Sequence, residues 1–217
     1  MSDKVGLRLL AAGQLVDVDP AAAYAQAKVA RRLAARLPVV RAAVAETAYQ
    51  AGDYQVALTD YRALRRMTGG DEYLPVIADC ERALGRPEEA LKVAKEAYGL
   101  GLDPASTIEM RMVEAGARAD LGQHAEAQRL LAQEIESTQR TRGLNDTSKA
   151  RLRYAYADQL LMRGDRAKAR EWFVAAARLD SEGVTDADER VAELDGLVIE
   201  FDDSDEETES GDGADQQ

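Results

Sequence analysis

Apolar and small residues recur along most of this chain at spacings of three and four, the period of a helix with one buried face. Val5, Leu7, Leu9 and Leu10 form an irregular stripe that still admits a helix over 4–14. Asp19-Pro20 then opens a second helix, with Asp as N-cap and Pro at the first helical position. Ala23, Ala27, Ala30 and Leu33 carry it to about Leu37, where Pro38 is expected to end it. Val40, Val44, Ala48 and Ala51 share one face of a helix over 39–51, and Ala57, Tyr61 and Leu64 one face of its successor over 54–67. After Gly69-Gly70, Asp71 is expected to cap a helix bearing Leu74, Ile77, Ala78, Ala83 and Leu84, with Pro75 tolerated in its first turn. Another helix follows Gly85 and runs to Tyr98. Gly99 to Pro104 stop it and start the next, over 105–121. Gly122-Gln123-His124 is the following bend, with Ala127 and Leu131 beyond it. A polar loop at 138–147 precedes a helix capped by Asp146, Thr147 or Ser148 and carrying Tyr156, Ala157 and Leu160. Gly164-Asp165-Arg166 turns into a helix with Ala169, Phe173 and Ala176, and a last short helix covers about 186–195.

The bends form a series. Gly52, Gly85, Gly122 and Gly164 stand 33, 37 and 42 residues apart, lengthened at the two loops and not inside helices. After each bend a small residue recurs (Ala57, Ala90, Ala127, Ala169), letting the paired helix approach closely. Four residues later comes Tyr61, Ala94, Leu131 or Phe173, the filler between units; the alanine predicts a thinner second unit. A helix pair of this kind cannot bury its own stripe and must stack on its neighbour, so the pattern predicts a solenoid. Expected divisions are a degenerate helix pair over 1–37, repeats over 38–181, a capping helix over 182–199 and an acidic tail over 200–217.

With a period near the roughly 34 residues of tetratricopeptide (TPR) repeats, the array resembles that family, although no unit has the bulky aromatic expected early in its first helix. The segments PVVRAAVAETAYQAGDY, DCERALGRPEEAL, VEAGARADLGQ, YAYADQLL and RVAELDGLVIEFDD are similar to a family of TPR proteins found in actinobacteria, from about residue 5 to the acidic tail. The resemblance implies an all-α, right-handed TPR-like superhelix and no assigned biochemical activity. Many members of that family carry a basic, low-complexity N-terminal extension. The chain begins at Met1 without one, so a function housed there is expected to be absent or removed.

Charge changes the picture at one end. Net charge is −12 over 217 residues. Nine acidic and no basic residues lie in 200–217, whereas residues 1–70 hold a small basic excess. The tail is too charged and too poor in apolar residues to fold, apart from Leu197-Val-Ile-Glu-Phe201, expected to pack on the last helices. At most about 60 Å long when extended, the tail is too short to reach the basic N-terminal stripe across eight stacked helices, some 60–80 Å away. It is read as a solubilising or partner-steering segment. The single cysteine, Cys80, rules out an internal disulfide and fits a reducing compartment. The N-terminal apolar run is broken by Arg8 and fails as a signal peptide. No apolar run approaches the roughly 20 residues of a membrane span. A cytoplasmic protein is expected.

Catalytic layouts are scarce with one histidine and one cysteine. His124 reads as a solvent-facing bend residue, Cys80 as a small packing residue, and Trp172 beside Phe173 as core. Zinc-ligand spacing, a phosphate-cradling glycine loop and a nucleophile elbow are all missing. Gly99-Leu-Gly-Leu lacks a third glycine, and Asn145-Asp-Thr147 has no secretory context to make it a glycosylation site. No enzyme, no cofactor, no metal and no small-molecule substrate are expected.

A groove is the better place for chemistry. In TPR solenoids the first helix of each pair lines the concave face, with positions two, five, nine and twelve turned toward it. Mapped here they are Val39, Ala42, Glu46 and Tyr49; Glu72, Pro75, Asp79 and Arg82; Glu109, Met112, Gly116 and Ala119; Arg151, Tyr154, Asp158 and Leu161. Glu46, Tyr49, Asp79, Arg82, Met112, Tyr154 and Asp158 are the candidate partner-binding residues. The Lys and Asn that clamp a peptide carboxylate in chaperone-type TPR domains are absent from these positions. Glu46, Asp79 and Asp158 instead suit a neutral or basic segment. The expected function is therefore a non-catalytic adaptor holding an unidentified protein or peptide. The alternative is a nucleic-acid or ribonucleoprotein accessory using Lys28, Arg31, Arg32 and Arg36, with Arg62, Arg65 and Arg66 as a second cluster. Without interleaved aromatics for base stacking, and on an acidic chain, that alternative ranks second.

Overall fold

The computed structural model describes residues 2–141 and 143–197. Eleven α-helices account for most of them: α1 (Ser2–Leu15), α2 (Pro20–Ala34), α3 (Pro38–Gln50), α4 (Tyr54–Thr68), α5 (Leu74–Ala83), α6 (Pro87–Leu100), α7 (Pro104–Asp120), α8 (His124–Thr138), α9 (Asp146–Met162), α10 (Arg166–Ala177) and α11 (Ala187–Leu194). All five prolines stand in the first turn of a helix, where a missing N–H costs nothing. Carboxylate or amide caps from Asp19, Asp53, Asp103, Asn145 and Asp165 accept first-turn N–H bonds.

The four bends share one closure. Gly52, Gly85, Gly122 and Gly164 have φ between 72° and 83°, the left-handed region a glycine enters without a side-chain clash. The residue after each donates its N–H to a carbonyl five positions back: Asp53 to Ala48, Arg86 to Glu81, Gln123 to Arg118 and Asp165 to Leu160, at 2.8–3.0 Å. This is the Schellman arrangement, which satisfies carbonyls the helix end would otherwise orphan. Repeating it fixes the same reversal four times.

Helices pair as antiparallel hairpins, α1/α2 through α9/α10, and each pair stacks on the next, with α11 closing against α10. Successive first helices also touch, α1 with α3, α5 with α7 and α7 with α9, so they line one side of the array. The core runs through it as a string of clusters. Ala45, Ala48 and Ala57 face Tyr61, Ile77 and Cys80; Ala90, Ala94 and Ala97 face Leu74 and Met110. Met110 is fully buried, so the space beside Ala94 is filled from the following unit. Trp172 is half-buried and meets Tyr156 edge to face at 5.0 Å, while Phe173 is the larger contribution to the core.

Several boundaries differ from expectation. Pro38 does not end α2 but starts α3, because α2 has already stopped at Ala34. Asp71 does not cap α5. It opens a 3-10 turn, Asp71–Tyr73, and its carboxylate is held by Arg65 at 2.9 Å instead. The cap of α9 is Asn145, one residue before the expected candidates. Leu197 is exposed, and the rest of its apolar run, like the acidic tail, lies outside the described residues.

Phe173 is fully buried between α9, α10 and α11, 5.1 Å edge-to-face from Tyr154. Phe173→Ala should cost about 3–5 kcal/mol of stability, read as a lowered urea midpoint, whereas Leu37→Ala, at an exposed position, should change it by less than about 0.5 kcal/mol.

Candidate functional site

Helices α3, α5, α7 and α9 line one open groove of about 1160 Å³. All seven candidates, Glu46, Tyr49, Asp79, Arg82, Met112, Tyr154 and Asp158, face it. Val39, Ala42 and Leu161 do not. Val39 sits exposed at the start of α3, and Leu161 turns away to pack on the α9/α10 core. Residues the period could not reveal also line the groove. Tyr61 reaches it from α4, Tyr73 from the 3-10 turn, and Val184, Thr185 and Asp186 from the α10–α11 loop. That loop is held by Asp180, whose carboxylate accepts from the N–H groups of Val184 and Thr185 and from the Thr185 hydroxyl.

The groove side chains hold one another. Tyr49 of α3 donates its hydroxyl to Asp79 of α5 at 2.5 Å. Arg82 of α5 reaches Asp120 of α7 at 3.5 Å and Asp79 at 3.0 Å. Arg151 of α9 pairs with Glu109 of α7 at 2.7 Å. Arg190 of α11 approaches Asp158 of α9 at 3.5 Å and lies 5.3 Å over the Phe173 ring. From α3 onward, each junction between first helices thus carries a polar link on the concave side. Gly116 permits one of them: a Cβ there would come within 3.2 Å of Arg82 Cδ and Nε.

Seven carboxylates line the groove (Glu46, Glu72, Asp79, Glu109, Asp120, Asp158, Asp186) against two arginines, Arg82 and Arg151. Burial pushes the Glu109 carboxyl up, with Arg151 opposing it and Asp79 adding to it. Asp158 is likewise raised by burial, against Arg190 and with Asp186. The Tyr49 and Tyr61 hydroxyls are raised by burial and then by their bonds to Asp79 and Glu46, so they remain donors. His124 is exposed at the rim, at the first position of α8. Cys80 is fully buried, its thiol pushed up to about 12 by burial and then by Asp79 and Glu81. Such a thiol stays protonated at neutral pH, and packing is the role it fills. Among the described residues no group of three or more His, Cys, Asp or Glu is placed to hold a metal.

This geometry matches known structures. A thermophilic TPR protein from Thermus thermophilus superposes with a TM-score of 0.67 at 22% identity, covering 89% of this chain and all of that one. A tetratricopeptide repeat protein from Parabacteroides merdae superposes at 0.52 with 20% identity, covering 90% of this chain and 73% of that one. The fold is that of a TPR solenoid. No protein-family model and no curated protein matches the chain.

The basic N-terminal cluster is partly committed within this TPR array. Arg31 pairs with the fully buried Asp60 at 2.7 Å, and Lys28 lies over the Tyr24 ring at 4.1 Å. Arg62 holds Glu81 at 2.5 Å, and Arg65 bridges Asp71 and Glu96. Arg32 and Arg36 are exposed and belong to no ion pair among the described residues.

No described helix is long and apolar enough to cross a membrane. The raised Glu109 carboxyl sets a pH dependence. Its folded pKa lies above the ordinary 4.5, so its charge opposes folding at neutral pH, and the penalty fades as pH falls from that raised value to 4.5. Glu109→Gln should therefore raise the melting temperature at pH 7 and give no gain near pH 4, measured by circular dichroism across that window.

Proposed function

We propose that the chain is a non-catalytic interaction adaptor that holds an extended segment of a partner protein in its concave groove. The reading places it in the cytoplasm, among the actinobacterial TPR proteins whose segments it resembles. Residues 38–181 form the binding array, 1–37 an opening pair and 182–199 the closing cap, with the tail over 200–217 steering the partner.

The observation that carries the reading is the continuous groove, four helices long, whose walls are braced by their own side chains. Small-molecule sites tend to be enclosed and mostly apolar, whereas an open trough with a polar rim suits a chain laid across it. Reversed charge disfavours the alternative of a nucleic-acid accessory on this face: seven carboxylates would repel a phosphate backbone. On the basic face that this alternative would use, several of the cations needed to follow phosphates are tied to Asp60, Glu81 and Glu96.

A photo-crosslinking amino acid at Met112, in the groove, should capture a discrete partner in cells. The same probe at Lys92, on the outer surface of α6, should not. Equal capture from both positions would exclude groove binding.

A further inference from the structure

The charge of the groove is unevenly spent. Its middle is paired internally, Arg82 with Asp79 and Asp120, and Arg151 with Glu109. Its two ends are less fully paired. At the α3 end Glu46 and Glu72 are exposed and in no ion pair among the described residues. Glu46 accepts only neutral donors, the hydroxyl of Tyr61 at 2.7 Å and the amide of Gln50. Beside these carboxylates stand the rings of Tyr61 and Tyr73, 6.1 Å apart. Carboxylates next to aromatic faces favour an alkyl-stemmed cation over a small ion, because the rings cover the stem while the acids meet the charge. At the α9 end Asp186 is exposed and in no ion pair among the described residues, and Asp158 is shared with Arg190 at 3.5 Å.

A second observation comes from Gln159, which lines the groove on α9 and is 6% exposed. Its Oε1 is buried with no donor, and its Nε2 faces only the Met162 sulfur at 3.7 Å. A buried amide oxygen without a donor keeps its desolvation cost uncompensated. Gln159 is one of the groove's lining residues, so an incoming N–H that reaches this oxygen would satisfy it.

Resting on the groove reading above, we propose that the segment held there is a bipartite basic one. One arginine or lysine seats at Glu46 and Glu72, a second at Asp158 and Asp186, and an N–H of the segment bonds to Gln159. Three helix-to-helix steps separate the ends, about 24–30 Å at the usual packing distance. An extended chain covers that in roughly 7–9 residues. The residues between the two cations lie over the internally paired middle and need no cation of their own.

Fluorescence polarisation on the full chain tests this with three labelled Ser/Ala peptides of eleven residues. One has arginines eight positions apart, one has the same arginines adjacent, and one has glutamates in their place. The spaced peptide should bind at least ~10-fold tighter than the other two at low salt. Glu46→Gln with Glu72→Gln, which keeps an acceptor for Tyr61, should weaken it ~10-fold, as should Asp186→Asn. Gln159→Met should raise the melting temperature and weaken the spaced peptide; a purely structural role would raise the melting temperature alone and remove Gln159 from the proposal. Equal binding of spaced and adjacent arginines, or binding indifferent to the groove variants, means attraction to the acidic tail and overturns the proposal. Tighter binding of the glutamate peptide overturns it too. If the probe at Met112 nevertheless captures a partner, the groove reading stands and only its basic occupant falls.

Discussion

Alanine sets the terms of this structure. Ala23, Ala27, Ala30, Ala45, Ala48, Ala57, Ala78, Ala117, Ala127, Ala157 and Ala169 are all fully buried, most of them where two helices cross. Small side chains at the crossing let helix axes approach to the short end of the usual 8–10 Å range. The hairpins can therefore nest at a regular repeat. The cost is area: each buried alanine removes little apolar surface from water. Larger groups are needed between units, and Leu58, Leu64, Leu74, Ile108, Met110, Leu131, Leu152 and Phe173 fill that place.

Charge then decides which unit docks on which. Asp60 is fully buried, held by Arg31 from α2 and Arg41 from α3. Glu81 is met by Arg62 from α4, and Arg86 Nε stands 3.1 Å from its other oxygen without hydrogen-bond geometry. Glu114 takes Arg111, Arg118 and the Tyr98 hydroxyl. Desolvation offsets much of the attraction in such pairs. Their larger effect is on misdocking, since a shifted unit would bury a carboxylate with no cation to meet it.

These buried acids explain where the sequence was legible and where it was not. Bend glycines, alanine spacing and proline positions are local, and each encodes a reversal or a helix start within a few residues. They located every helix pair but missed some helix ends, as at Pro38, Asp71 and Asn145. The seven groove candidates followed from mapping TPR groove positions onto these helices, and all seven line the groove. Their pairing did not follow, because Tyr49 with Asp79 or Arg151 with Glu109 joins residues 30 and 42 positions apart. For the same reason Arg31 and Arg62 read only as members of basic clusters, although each pairs with a buried carboxylate on a later helix. A period finds the face a residue occupies; it does not find the partner that face meets.

The concave links bear on how this groove works. A groove whose side chains already bond to one another loses little further freedom when a partner arrives, which lowers the ordering cost of binding. Yet a carboxylate bonded to its own arginine has less to give to a partner's. Braced pairs in the middle thus contribute shape, and the freer acids near the ends contribute charge. Attraction from such exposed acids acts mainly on the rate of encounter and weakens with salt. Affinity must then come from what the segment buries, along Met112, Val76, Pro75 and the tyrosine rings that line the same trough. In the proposed mode, recognition is accordingly divided along the groove, with capture at its ends and retention on the floor between them.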